Sequence, residues 1–241
     1  MRIDAAELDF KELNRMIKSA SDQEVLIENC LGQRYIAGGL AGKTIRIFGT
    51  PGNALGAYLD GAKIVVHGNA QDAAGDTMND GEICVYGSAG DAAGYSMRGG
   101  RIFVRESIGY RAGIHMKESR DKEPVLVVGE TTGHFLGEYQ AGGKIIVLGL
   151  NCPADQSPVG PFCATGMHGG RIYIRSAALP RHLPGQVIAA EAGAEDMTEI
   201  RGELEEFCRL FNVKMEKILD RPFYVLKPDS KNPYKQLYVL H

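Results

Sequence analysis

The sequence predicts a mainly β protein, a single-stranded right-handed parallel β-helix of about seven coils with flanking helices and an irregular tail. Three observations predict it. Glycine is in excess, at 31 of 241 residues, where average usage gives roughly 17. The glycines are periodic: Gly56, Gly75, Gly94 and Gly113 fall 19 residues apart, as do Gly49, Gly68 and Gly87. Each period also carries an apolar tetrad with β-branched residues at alternate positions, the pattern of a strand.

Residues 1–39 read as an N-terminal cap. Asp9 followed by Glu12 resembles a capping box, and Leu13, Met16 and Ile17 form a helical stripe behind it. Val25-Leu26-Ile27 reads as a strand leading into the repeats. Residues 40–176 hold the coils. Their tetrads are Thr44-Ile45-Arg46-Ile47, Lys63-Ile64-Val65-Val66, Glu82-Ile83-Cys84-Val85, Arg101-Ile102-Phe103-Val104, Pro124-Val125-Leu126-Val127, Lys144-Ile145-Ile146-Val147 and Arg171-Ile172-Tyr173-Ile174. A 19-residue unit is too short for a strand, a helix and their connections, so glycine corners must turn the chain between short strands. Stacking then sets Ile64, Ile83, Ile102, Val125, Ile145 and Ile172 in one inward column. Val66, Val85, Val104, Val127, Val147 and Ile174 form a second, and Met78, Met97, Met116 and Met167 a third. Parallel strands lie about 4.8 Å apart, which makes a rod of order 30 Å, and crossovers of this kind wind right-handed.

Two stretches break the period, a charged one at 117–123 and the loop Cys152–Pro161. Such insertions project from one face of a solenoid. In residues 177–241, Asp196 with Glu199 opens a second helix carrying Ile200, Leu204, Phe207, Cys208 and Phe211. The tail from Arg221 holds three prolines and strand-like Phe223-Tyr224-Val225-Leu226 and Leu237-Tyr238-Val239. It is expected to pack on the same domain.

A net charge of −3 argues against a nucleic-acid binder, which shows a basic excess. No apolar run approaches the ~18–20 residues of a membrane span, and acids stand where a signal peptide would be apolar. The expectation is a cytoplasmic protein. Five cysteines without a CxxC pair read as reduced, mostly structural thiols.

The residues offer little chemistry. Gly42-Lys43-Thr44 resembles the end of a phosphate-binding loop, but a strand follows where that loop needs a helix. Cys152, Cys163 and His168 are close enough in sequence to meet around a metal, with chance spacing as the alternative. Asp72 and Asp91 share one repeat position, either as a paired acid–base site or as turn residues bonding the backbone. Lys63, Arg101, Lys144 and Arg171 make a partial basic stripe, interrupted by Glu82. No catalytic, cofactor-binding or metal residue is assigned. Gly49, Gly56, Gly68, Gly75, Gly87, Gly94, Gly113 and Gly137 are assigned as structural corner glycines.

Taken in order, Asn29-Cys30-Leu31-Gly32-Gln33-Arg34-Tyr35-Ile36, Gly49-Thr50-Pro51-Gly52-Asn53-Ala54-Leu55-Gly56, Gly94-Tyr95-Ser96-Met97-Arg98-Gly99-Gly100, Gly109-Tyr110-Arg111-Ala112-Gly113-Ile114-His115-Met116 and Gly166-Met167-His168-Gly169-Gly170 resemble the GXGXG-repeat domain of glutamate synthase, in its stand-alone archaeal-type form. The repeat is also similar to the scaffolding subunit of formylmethanofuran dehydrogenase that carries the same motif, the alternative reading. A free-standing oligomeric scaffold and an independent β-helix enzyme are the contrasting classes. The resemblance implies a right-handed β-helix with a structural role in a multi-chain glutamate synthase, an oxidoreductase of glutamate biosynthesis and ammonia assimilation. It implies two partners, an amidotransferase chain and a synthase chain holding FMN and an iron–sulfur cluster. It carries no catalytic residue and no cofactor onto this chain. Self-association into a homo-oligomer is a further option.

Overall fold

The computed structural model of the chain describes residues 1–230, so the strand-like Leu237-Tyr238-Val239 lies outside the described residues. The protein is mainly β; the described residues form one mixed sheet of 11 strands that is not closed into a barrel. The strands β1 (Arg2–Asp4), β2 (Glu24–Leu31), β3 (Thr44–Thr50), β4 (Asp60–His67), β5 (Asp80–Val85), β6 (Arg101–Val104), β7 (Val125–Val128), β8 (Ala141–Val147) and β9 (Gly169–Arg175) lie side by side in chain order. Every neighbouring pair among them is parallel. Parallel pairing between consecutive strands means that each crossover carries the chain back to the end of the sheet at which the previous strand began. A second, sparser parallel ladder joins Ala70, Ala89, Ile108, Thr132 and Val159.

The register carries Ile45 onto Ile64, Ile83, Ile102, Leu126, Ile145 and Ile172. All seven side chains are fully buried. Contrary to the sequence pattern, Val125 and Val127 do not enter the inward columns; Leu126 and Val128 do. The insertion at 117–123 starts β7 one residue later, so Val125 pairs with Arg101 and Lys144. Val125 and Val127 instead point to the opposite face of the sheet, since strand side chains alternate. In the third column Met78, Met97, Met116 and Met167 are buried as one row, but Gln140 takes the place between Met116 and Met167. Its amide Nε2 donates to the carbonyls of Gly142 (3.2 Å) and Gly143 (3.0 Å).

Glycine makes the coils fit. A Cβ placed on Gly56, Gly75, Gly113 or Gly137 would stand 2.8, 2.4, 2.5 or 2.7 Å from the Cδ1 of Ile83, Ile102, Ile145 or Ile172, respectively. Each isoleucine tip therefore fills the space a side chain would need on the preceding turn. Gly94 is the exception. The glycine column places it at a crowded bend, but its Cβ would meet nothing nearer than Leu126 Cδ2 at 3.8 Å. Leu126 is branched one carbon further out and does not send a methyl into that space.

The ends and the outer face are covered. α1 (Phe10–Ser19) starts where Asp9 Oδ1 accepts the N–H of Lys11 and of Glu12 at 2.7 and 2.9 Å, as an N-cap requires. It buries Leu13 and Ile17 in the same core as Ile3, Val25 and Ile27. β1 has no counterpart in the sequence reading, because three residues give no readable pattern. At the other end β11 (Phe223–Pro228) runs antiparallel to β9, and β10 (Val187–Glu191) antiparallel to β11. α2 (Ala194–Phe211) lays Ile200, Leu204, Phe207 and Phe211 on the outward residues Cys84, Phe103, Val127, Ile146 and Tyr173. It starts two residues earlier than the Asp196 signal suggests: Gly193 is the N-cap, and Asp196 accepts its N–H from the third helical position. A short α3 (Met215–Ile218) follows. The wholly buried Arg175 guanidinium donates to the carbonyls of Leu148 (2.7 Å) and Lys217 (3.1 Å) and to the Asp220 carboxylate, fastening α3 to the last coil. Among the described residues, no helix is long and apolar enough to cross a membrane.

Two glycine substitutions separate backbone strain from crowding. Gly94→Ala, at φ +71° where a Cβ meets only ordinary contacts from 3.8 Å, is expected to cost roughly 1 kcal/mol for the left-handed backbone alone. Gly49→Ala sets a Cβ 2.1 Å from the Cys30 carbonyl oxygen at φ +127° and is expected to cost roughly 3 kcal/mol or more. Denaturant unfolding of the two variants checks the order, and equal losses contradict the account.

Candidate functional site

The segment that turns each coil has an unusual backbone. In 54–58, 73–77 and 92–96, residues one, three and five of the window are left-handed: Ala54, Gly56 and Tyr58; Ala73, Gly75 and Thr77; Ala92, Gly94 and Ser96. The pattern continues through Arg111, Gly113 and His115, then Phe135, Gly137 and Tyr139, then Phe162, Ala164 and Gly166. Non-glycine residues hold this conformation only when their surroundings over-determine it. The coils do so: the N–H of Ala73 bonds Asp91 O at 2.8 Å, that of Gly75 bonds Leu55 O at 2.8 Å, and that of Thr77 bonds Tyr95 O at 2.7 Å. Alternate residues thus bind the coil above and the coil below. The glycine column is visible in the sequence, but nothing there marks Arg111 or Phe135 as left-handed.

Of the corner glycines, Gly49, Gly56, Gly68, Gly75, Gly94, Gly113 and Gly137 have positive φ. Gly87 does not; a side chain there would stand 2.1 Å from Asn69 Oδ1. That carboxamide oxygen accepts the N–H of Ser88 at 2.9 Å. Asp72 and Asp91 do the same one turn apart. Asp72 Oδ1 accepts from Asp91 N at 3.0 Å, and Asp91 Oδ1 accepts from Tyr110 N at 2.8 Å. Both carboxylates therefore tie one coil to the next.

The basic residues stand in one register column, Lys63–Glu82–Arg101–Val125–Lys144–Arg171. Lys63, Glu82, Arg101 and Val125 of this column line a polar cleft of about 590 Å³, with Glu203 of α2 in its wall. Each cation meets a carboxylate. Glu82 receives Lys63 at 2.6 Å and Arg101 at 2.9 Å; Lys144 reaches Glu123 at 2.8 Å; Arg171 reaches Glu199 at 2.7 Å. Burial pulls the Lys144 ammonium down, but its bond to Glu123 and the charges of Glu203, Glu123 and Glu199 outweigh that, so its pKa is raised. From the first inserted loop, Lys122 bridges to Asp80 at 2.8 Å, which holds the Asp80 carboxyl below its ordinary range. The stripe fastens α2 and the loop to the sheet.

The remaining sequence candidates separate in space. Lys43 Nζ donates to the carbonyls of Ile17 (3.3 Å) and Ala20, at the C-terminal end of α1, where a cation complements the helix dipole. Cys163 lies in the coil interior and burial pushes its thiol up to about 12. Cys152 Sγ faces the Gln156 carbonyl at 3.6 Å, and His168 Nδ1 sits 3.0 Å from Gly166 O. Among the described residues, no three His, Cys, Asp or Glu side chains gather as a metal site. A groove of about 360 Å³ opens between the 154–163 loop and 178–183, with Phe162, Cys163, Leu179 and His182 in its walls.

A mainly β body of 19-residue glycine repeats, its polar side chains tied into its own coils, defines a class of repeat protein in which the motif itself is the diagnostic feature. The family model described as GXGXG motif matches residues 6–227, and the chain belongs to that family. An uncharacterized protein of Methanocaldococcus jannaschii is 43% identical over 248 aligned positions, covering 98% of this chain and 95% of that protein.

His67 gives the coil stack a pH dependence. Its ring lies between Phe48 (4.5 Å) and Tyr86 (5.1 Å). Burial, aided by the Arg46 charge, lowers its pKa. The unfolded chain therefore takes up the proton first, and stability falls as pH drops through the ordinary histidine value of about 6.5. The melting temperature of His67→Phe is expected to fall less than that of the parent between about pH 7.5 and about pH 5.5. Parallel curves for the two proteins count against this assignment.

Proposed function

We propose that this chain is a right-handed parallel β-helix serving as a non-catalytic structural subunit of a multi-chain glutamate synthase. In this reading an amidotransferase chain releases ammonia from glutamine. A synthase chain with FMN and an iron–sulfur cluster joins it to 2-oxoglutarate, so that glutamine, 2-oxoglutarate and reductant yield two glutamates in the cytoplasm. The present chain holds the two partners in register and supplies neither nucleophile nor cofactor.

The observation that carries the reading is the GXGXG match over residues 6–227, together with the order in which the repeat motifs recur. The helical winding is supported by consecutive parallel strands in chain order and by the second ladder from Ala70 to Val159. Right-handed crossovers are the rule for such units. The structural role is supported by what the charged groups do: Glu82, Asp72, Asp91 and Lys43 all serve internal contacts.

Reconstitution tests it. Glutamine-dependent glutamate formation by separately purified amidotransferase and flavin–iron–sulfur chains is expected to rise at least about tenfold when this chain is added, as tethering raises effective concentration. Ammonia-dependent synthesis by the flavin chain alone is expected to stay unchanged. Equal glutamine-dependent rates with and without this chain sink the reading.

A further inference from the structure

Each coil is tied to the next along the turn corner by the same set of backbone bonds. The first left-handed position donates forward, from Tyr35 N on Asn53 O and Ala54 N on Asp72 O through to Phe135 N on Pro161 O. The last left-handed position does likewise, from Gly39 N on Ala57 O through to Tyr139 N on Thr165 O. Between them a carbonyl accepts from the following coil, from Ile36 O with Gly56 N through to Leu136 O with Ala164 N. The series stops at the final coil. Among the described residues, Phe162 N and Gly166 N reach no acceptor and Cys163 O reaches no donor. Gly166 is nevertheless buried, where a backbone donor needs a partner.

The second ladder ends differently. Ala70, Ala89, Ile108 and Thr132 each donate to the following coil, to Ser88 O, Ser107 O, Thr131 O and Pro158 O. At Val159 the Ser157 hydroxyl stands in for that coil: its Oγ accepts the Val159 N–H at 3.3 Å and donates to the Val159 carbonyl at 2.9 Å. One side of the last coil is thus closed by its own loop, and the turn corner is left open. The corner borders the groove of about 360 Å³, with Phe162 and Cys163 on one wall and Leu179 and Leu183 on the other. A row of unpaired N–H and C=O groups beside apolar side chains is a template for one more extended segment.

The chain carries such a segment at the right place. Asp229 N donates to Gln186 O at 2.8 Å, three residues past Leu183, so the last described residues stand beside the groove. Residues 231–241 follow. Fully extended, they reach up to about 36 Å. The corner needs five residues of them, a carbonyl, an N–H three residues on, and the carbonyl after that, as Pro161, Ala164 and Thr165 supply them to the coil before. Pro233 has no N–H to give. Every residue beyond it does, and the run Leu237-Tyr238-Val239-Leu240 there is apolar.

We propose that the C-terminal segment 234–241 docks in this groove and pairs with Phe162, Cys163 and Gly166, closing the open corner of the last coil from within the same chain. The proposal does not depend on the glutamate synthase reading, and its test needs no other chain.

Amide hydrogen exchange read by nuclear magnetic resonance on the full chain tests it. The Phe162 and Gly166 amides are expected to exchange at least roughly tenfold more slowly in the full chain than in a chain ending at Ser230. The Ile83 and Ile102 amides, in the central strands β5 and β6, are expected to be unchanged and show that each protein is folded. Tyr238→Pro removes a donor and breaks the run without shortening the chain, and is expected to speed exchange at Phe162 and Gly166 as truncation does. Protection in the full chain is expected to be the same at about 5 and about 200 micromolar protein, since docking within one chain is independent of concentration. Equal exchange of the two amides in the full and shortened chains overturns the proposal, as does full protection in Tyr238→Pro. Protection that appears only at the higher concentration assigns the groove to the tail of a second copy and overturns it as well.

Discussion

The isoleucine tips that reach under the glycine of the preceding turn set the geometry of everything else. Ile83, Ile102, Ile145 and Ile172 each occupy the volume a side chain would take at Gly56, Gly75, Gly113 and Gly137. A methyl group and a missing Cβ fix how closely two coils approach and where along the strand they meet. Close packing of this sort is unforgiving of even one added carbon. Once the inward columns are in register, the outward column is too. That brings Phe103, Val127, Ile146 and Tyr173 into the single apolar surface that α2 needs.

The polar groups obey the same spacing. Asn69, Asp72 and Asp91 each accept a backbone N–H 19 residues further on, so a short acidic or amide side chain becomes a rung between coils. Lysine and arginine on the strand column find acids on the neighbouring coil or on α2. Exposed pairs of this kind contribute little each. Glu82 is another matter: it is largely buried and held by two cations at once, so removing either would leave a carboxylate poorly compensated.

Much of the fold is legible because the repeat states it many times. The tetrads locate β3 to β9, and Asp9 locates the start of α1. What fails does so for local reasons. Pro124 looks like the head of a tetrad because an apolar run follows it; the inserted loop shifts the strand by one, and a one-residue slip turns every side chain to the opposite face. β1 is too short to have a period, and β10 is largely exposed and small-residued, so neither stands out. The left-handed Arg111, Phe135 and Phe162 are invisible because their conformation is imposed by hydrogen bonds from adjacent coils rather than by residue type. For the candidate site, the sequence poses Asp72 and Asp91 as either acid–base groups or turn residues; only coordinates show where their oxygens point.

The two borders of the sheet differ from its middle in a way that limits growth. Among the described residues, one border is the three-residue β1, and the other is the five-residue β10, which the reversed β11 separates from the parallel run. A stack of like-directed strands would otherwise present at each end a template for another molecule, the opening step of a fibre. A border so brief at one end, and a short strand set off from the parallel run by a reversed one at the other, gives an incoming copy little to continue. Short borders of this kind disfavour end-to-end growth and leave the flanks as the broad surfaces of the body.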